Sequence, residues 1–75
     1  MENNIELQAQ LRAAISAQLN IVDEGDTPIV YNMVQDAKAK ERLILDIEKI
    51  VINQRIDISQ AIIQIDDEYN PNHID

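Results

Sequence analysis

The fold is decided by residues 28–69, which read PIVYNMVQDAKAKERLILDIEKIVINQRIDISQAIIQIDDEY. Neither glycine nor proline occurs between Pro28 and Pro71. An unbroken seven-residue repeat is typical of a helix that packs lengthwise against another helix, and this stretch therefore predicts an all-α protein. The repeat is an uninterrupted column of apolar residues, one in every seven: Val30, Ala37, Ile44, Val51, Ile58 and Ile65.

A shorter helix is predicted before this stretch, over about residues 3–22. Gly25, the only glycine of the chain, is expected to take the left-handed conformation that ends a helix. Asp26 or Thr27 is then placed to cap the next helix, and Pro28 suits its first turn. The apolar side chains of the first helix fall on one arc of a helical wheel: Leu7, Leu11, Ala14, Ile15, Ile21 and Val22.

Two interpretations of residues 28–69 are open. In the first, they form one continuous helix about 63 Å long, and the chain is a helical hairpin with a short first and a long second helix. In the second, the chain turns at residues 53–57, where Asp57 and Gln60 have the spacing of a capping box. The seven-residue phase continues across this point without a reset, which favours the continuous helix. The second interpretation gives a compact three-helix bundle with helices over about 3–22, 28–53 and 58–69.

A continuous second helix would extend beyond the first, which is only about 30 Å long. Exposing the isoleucines of its far half to water would cost several kcal/mol. We therefore predict a homodimer in which two hairpins form a four-helix bundle, or docking on another helical protein. In the three-helix bundle the same residues would instead widen a single core. The predicted interface residues are Leu45, Ile52, Ile56, Ile58, Ile62, Ile63 and Ile65.

The charge narrows the class of partner. Fourteen acidic residues against six basic ones give a formal net charge of −8, which repels nucleic acids and anionic membranes. Five of the six basic residues fall between residues 38 and 55, and both flanks are acidic. Neighbouring copies packed antiparallel would align the basic middle of one chain with the acidic ends of another, which would set their orientation. The simpler interpretation is that these charges form local surface pairs.

Composition also limits the cellular compartment and the domain organisation that can be expected for the chain. The absence of cysteine excludes disulfides and thiolate metal sites. No apolar run reaches membrane-spanning length, and residues 1–4 lack the basic and apolar regions of a signal peptide. The sequence predicts one small cytoplasmic domain over residues 1–75, with residues 70–75 as a frayed tail.

No arrangement of side chains predicts catalysis. Ser16 and Ser59 have no local base, and His73, the only histidine, lies beyond Pro71 in the tail. Residues 23–26 lack the spacing and the closing glutamate that calcium loops use. We therefore predict a protein that is not an enzyme and that has no cofactor, metal site or small-molecule substrate.

Three consecutive carboxylates, those of Asp66, Asp67 and Glu68, lie near the end of the last predicted helix, where negative charge is unfavourable. A basic partner would relieve this charge, although a solvated helix end is the ordinary interpretation. The predicted function is a non-enzymatic interaction or assembly module that acts through the apolar stripe of the long helix. The alternative is an acidic inhibitor that occupies a basic site on a partner protein.

Overall fold

A computed structural model describes residues 2–70, with side chains from residue 5 onward. The prediction of an all-α protein is confirmed. The prediction of a single helix over residues 28–69 is wrong, because the chain leaves helical geometry twice within that stretch. Of the predicted tail, residues 71–75 lie outside the described residues. The described part of the chain forms α1 (Glu2–Leu19), α2 (Pro28–Met33), α3 (Ala37–Gln54) and α4 (Ile58–Tyr69).

The break between α2 and α3 arises at Asp36. Its backbone is extended, with φ −106° and ψ 125°, and its carboxylate accepts a hydrogen bond from the backbone N–H of Ala39 at 3.0 Å. This is the geometry of an N-cap, which starts a new helix. A helix can start in this way without glycine or proline. The unbroken seven-residue repeat therefore gave no sign of a break at this position.

The break between α3 and α4 lies at residues 55–57, where the second interpretation of the sequence placed a turn. Arg55 takes the left-handed conformation, with φ 55° and ψ 46°, and ends α3. Asp57 is extended, with φ −71° and ψ 158°, and precedes α4. The predicted break is thus confirmed. The predicted capping box is wrong, because the side chain of Asp57 makes no capping hydrogen bond.

The hydrophobic core receives side chains from all four helices. Val30 and Ile65, the ends of the seven-residue column, belong to it, whereas α3 buries Leu43 and Ile47 instead of a member of that column. Each turn changes the direction of the next helix, so a column that spans three helices does not form a common seam. The buried apolar residues are Ile15, Leu19, Val30, Leu43, Ile47, Ala61, Ile62 and Ile65.

Polar contacts fix how α1 lies on α3. Arg12 donates two hydrogen bonds to the carboxylate of Glu48, from Nε at 2.9 Å and from Nη2 at 3.1 Å. Just beyond the end of α1, Asn20 Oδ1 accepts a hydrogen bond from Lys40 Nζ at 2.6 Å. Later residues of the first segment therefore meet earlier residues of α3, and the two helices are antiparallel. The helix that packs antiparallel to α1 is therefore α3, which is separated from α1 in the chain by α2 and its two connecting segments.

Hydrogen bonds to Asp23 organise the connection between α1 and α2. Its carbonyl oxygen accepts from the backbone N–H of Thr27 at 2.9 Å, and its Oδ1 accepts from Gly25 N–H at 3.1 Å. Gly25 does not have a positive φ, so its predicted left-handed conformation is wrong. Capping of α2 by Thr27 is wrong too, because the Thr27 hydroxyl donates to the Asp23 carbonyl at 3.2 Å. Asp66 of α4 supplies the missing acceptor, as described below.

Arg55 is the one non-glycine residue with a positive φ in the described chain. This conformation costs such a residue about 1 kcal/mol, whereas glycine adopts it freely. We therefore expect Arg55→Gly to raise the free energy of unfolding by about 0.5–1 kcal/mol, measured by urea denaturation. Arg55→Ala removes the same charge but keeps a Cβ atom, and it should bring no gain. Equal gains from both variants would attribute the effect to charge and contradict the backbone argument.

Candidate interaction surfaces

The structure separates the predicted interface residues into two groups. Ile62 and Ile65 are 4% and 2% exposed and belong to the core, and Ile56 and Ile58 pack against it. The expectation that a second chain must cover these four residues is wrong, because the break at residues 55–57 lets α4 fold back onto the other helices. The other three remain exposed: Leu45 by 45%, Ile52 by 58% and Ile63 by 59%.

The three predicted acidic contacts are also divided. Asp66 is buried, and its Oδ1 accepts a hydrogen bond from the backbone N–H of Val30 at 2.9 Å. It therefore caps the first turn of α2 from a distant part of the chain. Asp67 and Glu68 are exposed. Sequence reasoning missed the role of Asp66 because its partner is a backbone group 36 residues away.

An open groove of about 210 Å³ lies between the first half of α4 and residues 18–27, which include the end of α1 and the connection that follows it. We call it the α1–α4 groove. Ile21 and Ile63 lie in it and are 74% and 59% exposed. The chain thus presents large apolar side chains to solvent in a concave site, where a complementary side chain would displace water from both of them. The groove is lined on one side by Gln18, Ile21 and Val22, and on the other by Ser59, Ile62 and Ile63.

Acidic side chains form one rim of the α1–α4 groove. Asp23 and Asp26 line it directly, and the exposed Glu24 lies between them in the chain. None of the described residues that line the groove is a lysine or an arginine. The groove therefore combines an apolar floor with a negative edge. The sequence predicts Ile21 on the apolar arc of the first helix but does not connect it with the acidic turn or with α4, because the approach of α4 to both is a long-range contact.

The outer face of α3 carries a line of basic and apolar side chains. Exposed residues recur along it at alternating spacings of four and three, which places them in one line on a helix. Glu41 and the half-buried Asp46 are acidic neighbours of this line, and Arg12, on the same side of the molecule, is engaged with Glu48. We call the line the α3 stripe, and it consists of Lys38, Arg42, Leu45, Lys49 and Ile52.

A second apolar groove lies near the beginning of α1. The apolar side chains that line this groove continue the row of Ile15 and Leu19 toward the beginning of α1. Two of them are largely exposed to solvent there. Leu7 is 61% exposed and Ile5 is 71% exposed. None of the described residues that line this second groove is acidic, in contrast to the α1–α4 groove. Its lining residues are Ile5, Leu7, Gln8, Leu11 and Ile52.

The described residues give little indication of a catalytic or metal-binding site. Among the described residues, no group of three or more histidine, cysteine, aspartate or glutamate side chains is placed to hold a metal ion. His73 lies outside that part of the chain, and Ser59 lines the α1–α4 groove. Across residues 2–70, no helix is both long enough and apolar enough to span a bilayer.

Comparisons with known proteins do not assign this chain to a family: no protein-family model, curated protein or solved structure matches it.

Proposed function

We propose that this chain is a non-enzymatic protein–protein interaction module that binds a helical segment of a partner in the α1–α4 groove. The observation that carries the proposal is the pair of exposed isoleucines, Ile21 and Ile63, facing one open groove. Grooves with apolar floors bind amphipathic helices through side chains that repeat along one helix face. The cytoplasm is the compartment that we propose for this interaction, since the cysteine-free composition is compatible with it.

The rim of the groove indicates the charge of the partner. Asp23 and Asp26 line the groove, the exposed Glu24 lies between them in the chain, and the whole chain carries a net charge of −8. A partner helix with lysine or arginine beside its apolar face would gain favourable electrostatic contacts as well as apolar burial. The proposed partner segment is therefore a basic amphipathic helix.

The second candidate function is that of an acidic antagonist, which would occupy a basic site by charge alone. The exposed carboxylates of Asp67 and Glu68, together with the acidic rim, support it. The two functions differ in what the partner must supply. The interaction module needs apolar side chains on the partner, whereas the antagonist needs only positive charge.

The test uses two synthetic helical peptides and fluorescence anisotropy. One peptide places leucines on one face and lysines on the other, and the second replaces every leucine with serine at the same charge. We expect the leucine peptide to bind and the serine peptide to bind at least about tenfold more weakly. In Ile63→Asp the affinity for the leucine peptide should fall by about tenfold or more, because the change puts a charge on the apolar floor.

Asn32→Asp is the matched control, because it adds the same charge at an exposed position of α2 that does not line the groove. Its affinity for the leucine peptide should equal that of the original chain. Equal binding of both peptides would contradict the interaction module and support the acidic antagonist. Binding of neither peptide would overturn both proposals.

A further inference from the structure

Two surfaces on different parts of this molecule are complementary in charge and alike in apolar character. The α1–α4 groove has exposed isoleucines beside acidic residues, and the α3 stripe has Leu45 and Ile52 among three basic residues. The α3 stripe is thus a basic amphipathic helix face of the kind that the groove is suited to bind. Both surfaces belong to one chain, but they do not meet within it, because the stripe is exposed to solvent and no residue of α3 lines the groove.

We propose that the α3 stripe of one copy docks in the α1–α4 groove of a second copy. This inference rests on the proposed function, because it names the partner of the same groove. Leu45 and Ile52 would contact the exposed apolar side chains of Ile21 and Ile63. Leu45 and Ile52 are seven residues apart, so their side chains are separated by about 10.5 Å along one helix face, a spacing that lets both of them enter a single groove.

Charge decides which surfaces of two copies can meet. A chain with a net charge of −8 repels its own copy at most orientations. Docking the α3 stripe in the groove is an orientation that reverses this repulsion, because Lys38, Arg42 and Lys49 then lie near the acidic residues of the rim. The carboxylates of Glu41 and Asp46, at the edges of the stripe, oppose this attraction in part. The acidic residues that line the groove are Asp23 and Asp26.

The proposed contact joins two different surfaces, so it is a head-to-tail contact. Each copy that docks its stripe still has an empty groove, and each copy that fills its groove still has a free stripe. Association therefore gives an open chain or a closed ring of copies, and the smallest ring is a pair in which each copy docks its stripe in the other's groove. In the homodimer of hairpins predicted from the sequence, both subunits instead use one shared seam. Association that is lost in a groove variant and in a stripe variant, and that returns when the two are mixed, separates the proposal from that homodimer.

The experiment pairs two variants that each lose one surface. Ile63→Asp removes the groove, and Leu45→Asp removes the stripe; both positions are exposed, and circular dichroism checks that both variants fold. Masses are measured by light scattering at about 1 mM chain. We expect each variant alone to be a monomer of 8.6 kDa. The equimolar mixture should give a heterodimer of twice that mass and nothing larger, because the intact groove of one variant meets the intact stripe of the other.

The unchanged chain should form species of two or more copies at the same concentration. Their mean mass should fall as NaCl rises from about 0.05 M to about 0.5 M, because the charge contacts are at the surface. Asn32→Asp, which adds a charge outside both surfaces, should assemble like the unchanged chain. Should Ile63→Asp lose its fold, Ile21→Asp replaces it, since Ile21 is the more exposed of the two and lies outside the helices.

Two results would overturn the inference: a mixture of the two variants that stays monomeric, or an unchanged chain that stays monomeric. Either of these, together with tight binding of the leucine peptide, leaves the proposed function in place with a different partner. The same results without peptide binding would remove both proposals. A heterodimer from the mixture and association of the unchanged chain support the head-to-tail contact.

Discussion

Replacing Ile47 with alanine is expected to lower the free energy of unfolding by about 2–5 kcal/mol. Ile47 is completely buried near the centre of α3, in a core to which all four helices contribute. Alanine would remove three carbon atoms and leave a cavity that the surrounding helices fill only in part. A domain of this size has a stability of only about 5 kcal/mol, so a loss at the upper end of this range would leave about half of the Ile47→Ala chains unfolded at room temperature. Circular dichroism during urea denaturation measures the change.

Ile52→Ala is the matched control for this prediction, because it makes the same chemical change five residues later on the same helix. Ile52 is 58% exposed, so its loss should change the free energy of unfolding by less than about 0.5 kcal/mol. Ile47→Val should fall between the two, at about 0.5–1.5 kcal/mol. Similar losses for Ile47→Ala and Ile52→Ala would show that burial does not distinguish these two positions and would contradict the described core.

The second large effect is expected at Asp66. Asp66→Ala would leave the buried backbone N–H of Val30 without its acceptor, a change that costs about 1–3 kcal/mol. The helix that depends on this bond, α2, has six residues and lacks a cap from its own Thr27. We therefore expect the loss in Asp66→Ala to be close to the upper end of that range. Chemical denaturation again provides the measurement.

Asp66→Asn isolates the hydrogen bond from the charge. Both variants remove one negative charge from an acidic chain, but asparagine keeps an Oδ1 atom that can accept from Val30 N–H. We expect Asp66→Asn to lose clearly less stability than Asp66→Ala. If the two variants were equally unstable, the carboxylate charge rather than its acceptor oxygen would be responsible, and the proposed capping role would be incorrect.

The sequence was informative where structure depends on near neighbours. The all-α class, the first helix, the turn before Pro28 and the break at residues 55–57 all depend on local propensity and turn chemistry. The break at Asp36 was missed because an N-cap inside a stretch without glycine or proline resembles one more polar position. The prediction of one long helix was wrong for a related reason. The seven-residue repeat stays in phase across both breaks only because the connecting segments happen to have lengths that preserve it.

The candidate surfaces depended on contacts that residue spacing does not reveal. The α3 stripe lies within one helix, so its line of alternating basic and apolar residues was visible in the sequence once α3 was delimited. The α1–α4 groove joins Ile21 to Ile63, and this pairing follows only from the fold. The same holds for Asp66, which the sequence grouped with Asp67 and Glu68 as surface charge although its oxygen serves α2.

The dependence of α2 on α4 bears on the order in which this protein acquires structure during synthesis. The ribosome makes α4 after the other three helices, and only α4 brings Ala61, Ile62 and Ile65 to the interior together with the acceptor for Val30 N–H. A nascent chain that ends before residue 58 therefore lacks both. We expect α2 to stay unformed and protease-sensitive until α4 has left the exit tunnel, so that the domain matures in one late step.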